Sequence, residues 1–194
     1  MCEEDIIRYC APTLAGMKTG SLFACRYPCK ALLQKEVRSL NRRLGGKGLR
    51  VLPLSYKKNR ALLYFFRPDM LKQSLRNSLA CRLLEQRGYP CGNPDSCIIR
   101  LMKQLRTAPE FPHEIGLFLG YPPSDVKSFM NSQRDGVKCT GCWKAYSNQE
   151  EAERTFEKYR KCTRAYRREM RNGRTLESLA VETAGRKRLR AVDR

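Results

Sequence analysis

Long apolar runs are missing from this sequence of 194 residues. A helix needs about 18 consecutive apolar residues to cross a bilayer. No stretch approaches that length, so we expect no membrane span. The first five residues, Met1 to Asp5, are acidic where a secretory signal is basic and then apolar. We therefore expect a cytoplasmic protein.

Acidic residues are also scarce, with 19 against 39 basic residues and a net charge of +20. Such a charge attracts polyanions: nucleic acid, an acidic partner protein or an anionic membrane surface. The excess is spread along the chain, since 21 of the 39 basic residues lie within 1–110. This spread argues against a dedicated nucleic-acid arm, and a solvated Arg-rich surface without a ligand is the alternative.

A second Cys-x-x-Cys pair is absent, although the chain has ten cysteines. In a reducing compartment these cysteines stay thiols, and most are expected to be small buried hydrophobes. The single pair, Cys139 and Cys142, has the spacing that lets two sulfurs reach one metal ion or form a facile disulfide. A structural zinc site needs four ligands, so this pair needs partners from elsewhere.

Histidine occurs once, as His113, followed directly by Glu114. Adjacent residues on a helix point about 100° apart, so these two are not expected to form a catalytic dyad. The pattern of a thioredoxin is not met either, because Trp143 follows the cysteine pair instead of preceding it. No nucleophile–base pair is visible, and the sequence does not decide whether the protein is an enzyme.

Two further segments suggest anion binding without matching a known motif. Residues 15–21 contain Lys18 between glycines but lack the first glycine of a phosphate-binding loop, which leaves only a weaker anion-binding loop. The segment 158–174 carries an arginine stripe that suits phosphate backbones or an acidic protein. Its members are Arg160, Arg164, Arg168 and Arg171. No named nucleic-acid fold signature accompanies them.

Periodicity and turn residues predict an α+β fold, in which a small antiparallel sheet packs with several helices. The sheet is predicted as a hairpin of strands 49–56 and 61–66, plus a strand at about 142–146. The segment 10–16 is predicted as a loop. Helices are predicted at 3–9, 29–44, 69–87, from 95 onward, 112–120, 124–133 and 148–171. We expect one domain over 1–184 and a basic disordered tail over 185–194.

Several phrases of the sequence carry a resemblance to a known family. They are 10–18 (CAPTLAGMK), 111–126 (FPHEIGLFLGYPPSDV), 142–146 and 159–163. Together they resemble a bacterial family catalogued as domain of unknown function 3793, over about residues 8–170. The resemblance implies a bacterial cytoplasmic origin and supplies no mechanism. Its motif positions are Cys10, Lys18, His113, Glu114, Tyr121, Asp125, Trp143, Lys144 and Cys162.

These positions and the Cys139–Cys142 pair together suggest two sets of site residues. The first set, predicted to gather around a transition metal such as zinc or iron, or to run thiol chemistry, is Cys10, His113, Cys139, Cys142 and Cys162. The second set, predicted to line a pocket for a cofactor, is Lys18, Tyr121, Asp125 and Lys144. The sequence thus favours a metal-binding or thiol-redox accessory protein. The alternatives are a basic module that binds nucleic acid or another polyanion, and an enzyme that uses His113 and Lys18 on an anionic substrate.

Overall fold

The computed structural model describes residues 2–131 and 136–182. The chain forms two compact units. The described residues of the first unit are 2–69 and 162–182, and the second unit comprises Met70–Lys161. The predicted tail at 185–194 lies outside the described residues.

The described residues contain helices and two antiparallel sheets, which confirms the predicted α+β class. In chain order the elements are α1 (Glu3–Leu14), β1 (Gly20–Arg26), α2 (Lys30–Gly45), β2 (Arg50–Lys57), β3 (Arg60–Phe66), α3 (Pro68–Leu75), α4 (Ser78–Glu85), α5 (Pro94–Thr107), α6 (Ile115–Phe118), α7 (Pro123–Met130), β4 (Cys139–Thr140), β5 (Lys144–Ala145), α8 (Gln149–Arg171) and α9 (Leu176–Leu179). No helix in the described ranges is both long enough and apolar enough to cross a membrane.

The first unit is built on a three-stranded antiparallel sheet of order β1-β3-β2. The predicted hairpin is present, but its turn has two residues where four were predicted. Lys58 and Asn59 both have positive φ, as a type I′ hairpin turn requires. Pro53 lies on the edge strand beside a register shift, and edges and bulges are the places in a sheet that tolerate proline. Strand β1 has no counterpart among the predicted strands.

Helix α1 corrects the prediction of a loop at 10–16. The helix continues to Leu14 with Pro12 inside it. Its buried face includes Cys10, Ala11 and Leu14, all fully buried in the core of the first unit. This burial explains why the helix continues despite a proline near its end. Helix α2 lies where predicted, and Gly48 in the turn after it has a positive φ.

The second unit differs from prediction at three places. The helix predicted over 112–120 is limited to α6, Ile115–Phe118. The single helix predicted over 69–87 is two helices, α3 and α4, because Asn77 interrupts it and caps α4 by accepting from the backbone of Leu79 and Ala80. The strand predicted near 142–146 is present as β5, but it pairs with β4 in a separate two-stranded sheet. Helix α8 contributes residues to both units.

Candidate functional site: an aromatic cavity

A cavity of about 440 Å³ lies within the second unit. Helices α6 and α7 with their flanking turns form one side, and the β4–β5 hairpin forms the other. Its lining is dominated by apolar and aromatic side chains. The lining residues are Phe111, His113, Ile115, Gly116, Tyr121, Asp125, Val126, Phe129, Thr140, Gly141, Cys142, Trp143 and Lys144.

Trp143 is the centre of the aromatic wall. Its ring stacks on Tyr121, with centroids 5.1 Å apart, and meets Phe156 edge-on at 4.5 Å. On the α7 side, the imidazole of His113 lies edge-on to Phe129 at 4.9 Å. Stacked and edge-on pairs of this kind add to the energy of simple burial, so they hold the wall in one arrangement.

Asp125 fixes the hairpin to helix α7. The carboxylate is 2% exposed. Its Oδ2 accepts from Trp143 Nε1 at 2.8 Å. Its Oδ1 accepts from the backbone of Tyr146 at 3.0 Å, and from the backbone and hydroxyl of Ser147 at 2.9 and 2.8 Å. Burial raises the pKa of the Asp125 carboxyl group. These hydrogen bonds together lower the pKa by more than burial raises it, so the net pKa is below its ordinary value.

Two glycines allow the walls to approach closely. A Cβ on Gly141 would lie 2.3 Å from the Phe156 ring, so the hairpin turn rests directly on that ring. A Cβ on Gly116 would lie 2.9 Å from Val126 and 3.1 Å from Tyr121. Any larger residue at either position would displace a wall of the cavity.

Lys144 supplies a positive charge to the cavity. It is the one lysine or arginine among the described residues that line it, and it is exposed. Its Nζ lies 5.7 Å from the centroid of the Phe129 ring, within cation–π range. The carboxylate of Asp125 is fully engaged by hydrogen bonds, so Lys144 sets the charge that an incoming ligand meets.

His113 and Glu114 have different surroundings, as their adjacency in sequence predicts. His113 is exposed and lines the cavity. Glu114 is 3% exposed, and its Oε1 accepts from the hydroxyl of Tyr89 at 2.8 Å. The two side chains therefore do not form a dyad.

The five predicted metal or thiol residues fall in different surroundings. Cys10 and Cys162 belong to the first unit, where Cys10 is fully buried and Cys162 packs partly buried against the same core. Burial raises the pKa of both thiols, to about 11 for Cys162. In the second unit His113 and Cys142 line the cavity, whereas Cys139 packs against the cluster around Phe156.

A group of three metal-ligating side chains does occur in the part of the chain that the structure describes, but it contains none of those five residues. Its members are Cys81, Glu85 and Cys91. Metal or thiol chemistry at Cys139, Cys142 and His113 therefore stays a prediction.

Three of the four predicted pocket residues line the cavity: Tyr121, Asp125 and Lys144. Lys18 lies in the first unit, in the turn between α1 and β1, where its backbone N–H donates to the carbonyl of Pro12. The sequence reasoning missed Phe129 as a lining residue. A pattern was available, because Phe129 lies one helical turn after Asp125 and so shares its face of α7.

The arginine stripe of α8 is exposed at Arg160, Arg164, Arg168 and Arg171. Arg160 pairs with Glu157 one turn earlier. Tyr159 and Tyr166 on the same helix are half-buried. Binding of nucleic acid or an acidic protein to this stripe stays a prediction.

The fold and the cavity together define an α+β protein with a ligand-sized aromatic pocket. The chain belongs to the family described as protein of unknown function (DUF3793), which matches residues 6–180. That match contains every residue that lines the cavity. Neither the curated proteins nor the solved structures gave a match to this chain.

Proposed function

We propose that the second unit binds a small organic acid with a flat apolar body in the aromatic cavity. The observation that carries the proposal is the pairing of an aromatic wall, centred on Trp143, with a single lysine, Lys144. The wall receives the apolar body, and the ammonium group receives the carboxylate or another acidic group of the ligand.

The size of the cavity supports a small molecule. Pockets for small ligands typically measure about 300 to 1,000 Å³, are mostly apolar and carry a few polar groups that fix orientation. The volume of about 440 Å³ lies in that range. The exposed side chains of Phe111 and Phe129, at 51% and 37%, leave the cavity open to an entering ligand.

The flat shape of the ligand follows from the wall. Tyr121 and Trp143 lie at an interplanar angle of 30°, and the indole is anchored by Asp125. A pre-oriented aromatic surface binds another planar group with little loss of side-chain freedom.

The acidic group follows from charge. Lys144 lines the cavity, while the carboxylate of Asp125 is saturated with donors. A net charge of +20 on the whole chain adds a field that attracts anions.

We further propose a cytoplasmic location and a bacterial source. The ten free cysteines support the first, because a reducing compartment keeps thiols unpaired.

The test uses the indole N–H of Trp143 as a local reporter. Trp143 is the only tryptophan, so the ¹⁵N-labelled protein gives one indole cross peak. We expect a saturable shift of that peak on titration with 2-naphthoate, and a weaker response to the uncharged 2-naphthamide. Lys144→Met should lower the affinity for the naphthoate up to about fivefold and leave the amide unaffected, since an exposed ion pair contributes up to about 1 kcal/mol.

Lys127→Met is the matched control, because Lys127 is an exposed lysine of α7 that does not line the cavity. It should bind both probes as the unaltered protein does. Absence of a saturable indole shift with either probe would overturn the proposed pocket. Equal loss in Lys144→Met and Lys127→Met would show that the general positive charge, and not the cavity, attracts the anion.

A further inference from the structure

We propose that Cys81, Glu85 and Cys91 form a Zn²⁺ site in the second unit. The site shares no residue with the aromatic cavity and does not depend on the proposed function of that cavity. A water molecule would be the fourth ligand of the zinc ion.

The chain brings these three side chains together by a helix and a tight return. Cys81 and Glu85 are one turn apart on α4, so they lie on the same face of that helix. The chain then reverses after α4, where the backbone N–H of Tyr89 donates to the carbonyl of Leu84 and Gly88 has a φ of +71°. This reversal returns Cys91 to α4, and its Sγ donates to the carbonyl of Cys81 at 3.2 Å.

The ligand atoms are close to the spacing that one zinc ion requires. The two sulfurs and a carboxylate oxygen all lie within 4.8 Å of one another. Zn–S and Zn–O distances of about 2.3 and 2.1 Å place the ligands of a tetrahedral ion about 3.5 to 3.8 Å apart. The distance from Cys81 Sγ to Glu85 Oε1, 3.7 Å, is already in that range.

The surroundings of the group suit a cation. The Glu85 carboxylate lies beside the Cys81 thiol, whose Sγ–H donates to Glu85 Oε1 at 3.7 Å. Cysteine binds a metal ion as the thiolate, so both thiols give up their protons when the ion binds. Binding should consequently release protons.

The donor set points to zinc among the common metals. Two thiolates exclude the hard ions Mg²⁺ and Ca²⁺, which take oxygen ligands. Mixed thiolate and carboxylate donors in a tetrahedral arrangement suit Zn²⁺. Cys97 is a nearby thiol, but it does not belong to the group whose ligand atoms all lie within 4.8 Å of one another, so we leave it out of the ligand set.

The test is zinc titration of the full chain, reduced and freed of metal with a chelator. We expect one equivalent of Zn²⁺ in competition with a chromogenic chelator, and proton release that shows as a dependence of the calorimetric heat on the buffer. Cys81→Ser and Cys91→Ser should each weaken binding at least a hundredfold, and Glu85→Gln about tenfold. Cys2→Ser changes an exposed cysteine outside both the group and the cavity, so it is the matched control and should bind as the unaltered protein does. The double variant Cys139→Ser with Cys142→Ser is measured beside it as a test of the other predicted thiol pair.

A second measurement separates loss of a ligand from loss of folding. Co²⁺ replaces Zn²⁺, and its sulfur-to-cobalt absorption should fall by about half in Cys81→Ser, while far-ultraviolet circular dichroism stays unchanged. The proposal is overturned if the fully reduced protein takes up no zinc. It is equally overturned if uptake follows the Cys139 and Cys142 variants and is indifferent to Cys81 and Cys91.

Discussion

The carboxylate Oδ2 of Asp125 accepts a hydrogen bond from Trp143 Nε1 at 2.8 Å, and this bond joins helix α7 to the hairpin across one wall of the cavity. Asp125 is therefore a positioning residue for the aromatic wall. Its carboxylate faces donors on the hairpin side, so its role in a bound complex is to hold Trp143 and not to contact the ligand.

Asp125→Ala should lower the free energy of unfolding of the second unit by about 3 kcal/mol, because three buried or half-buried N–H donors lose their charged acceptor. The donors are Trp143 Nε1 and the backbone N–H groups of Tyr146 and Ser147. Urea unfolding followed by the fluorescence of the single tryptophan measures this loss. A change below about 0.5 kcal/mol, the size of an ordinary surface substitution, would contradict the role of Asp125.

The difference in the free energy of unfolding between the unaltered protein and Asp125→Ala should depend on pH. The folded-state pKa of Asp125 lies below its ordinary value of 3.8, so its contribution is fully present above that value and is lost as the pH falls through the folded-state pKa. The difference between the unaltered protein and Asp125→Ala should thus be constant from pH 7 to about 5 and shrink below about pH 4. A difference that stays unchanged down to pH 2.5 would show that the ionised carboxylate is not what stabilises the hairpin.

Gly141→Ala should deform the hairpin and weaken the second unit by about 2 kcal/mol, since its Cβ would lie 2.3 Å from the ring of Phe156. The matched control is Gly45→Ala in helix α2, where nothing lies within 4 Å of the added carbon. That control should stabilise the first unit by about 0.5 kcal/mol. Chemical unfolding measures the change in the free energy of unfolding in both variants. Equal changes in the two would show that the close contact between Gly141 and the Phe156 ring does not limit the size of the residue at position 141.

Sequence patterns predicted those parts of the fold that local chemistry determines. The apolar spacing of Leu33, Val37, Leu40 and Leu44 predicted α2, and all four are buried. The patterns failed where tertiary contacts decide. Helix α1 continues past Cys10 because its last turn is buried in the core. The helix predicted over 69–87 is divided because Asn77 accepts hydrogen bonds from the backbone at the start of α4. The regular spacing of leucines across this segment does not reveal that break.

The candidate site was only partly predictable for a related reason. Tyr121, Asp125 and Lys144 were predicted as pocket residues from a family resemblance, and they do line one cavity. The Cys-x-x-Cys spacing predicted Cys139 and Cys142 as a pair, because that spacing is recognisable in the sequence. The group of Cys81 and Cys91 depends on a chain reversal between them that no spacing rule describes.

Tyr89→Phe should cost about 2 kcal/mol of stability, because it removes a donor from a buried carboxylate. The Tyr89 hydroxyl donates to Glu114 Oε1 at 2.8 Å, and Glu114 Oε2 has no hydrogen-bond partner among the described residues. A double-mutant cycle with Glu114→Gln measures the pair. In the Glu114→Gln background the tyrosine should matter less, because a neutral amide loses less than a carboxylate when it is left unpaired. Equal costs in both backgrounds would show that the hydroxyl does not stabilise the charge.

Arg67 provides the strongest expected effect in the first unit. Its side chain is fully buried and donates to four backbone carbonyls: from Nε to Thr13 at 2.6 Å, from one terminal nitrogen to Lys47 at 3.1 Å, and from the other to Leu14 and Val181 at 2.6 and 2.8 Å. The guanidinium thereby joins the last turn of α1, the turn after α2 and the segment after α9.

Arg67→Met should destabilise the first unit by about 4 kcal/mol, because the carbonyls of Lys47 and Val181 lose their donor inside the protein. Arg67→Lys should recover only part of that loss, since an ammonium group cannot reproduce the planar spread of the guanidinium donors. Amide hydrogen exchange gives a local reading, because the backbone N–H of Val181 donates to the carbonyl of Leu14 beside Arg67. Its protection should fall in both variants and further in Arg67→Met. Unchanged protection of Val181 in Arg67→Met would mean that the segment after α9 is held by its apolar contacts alone.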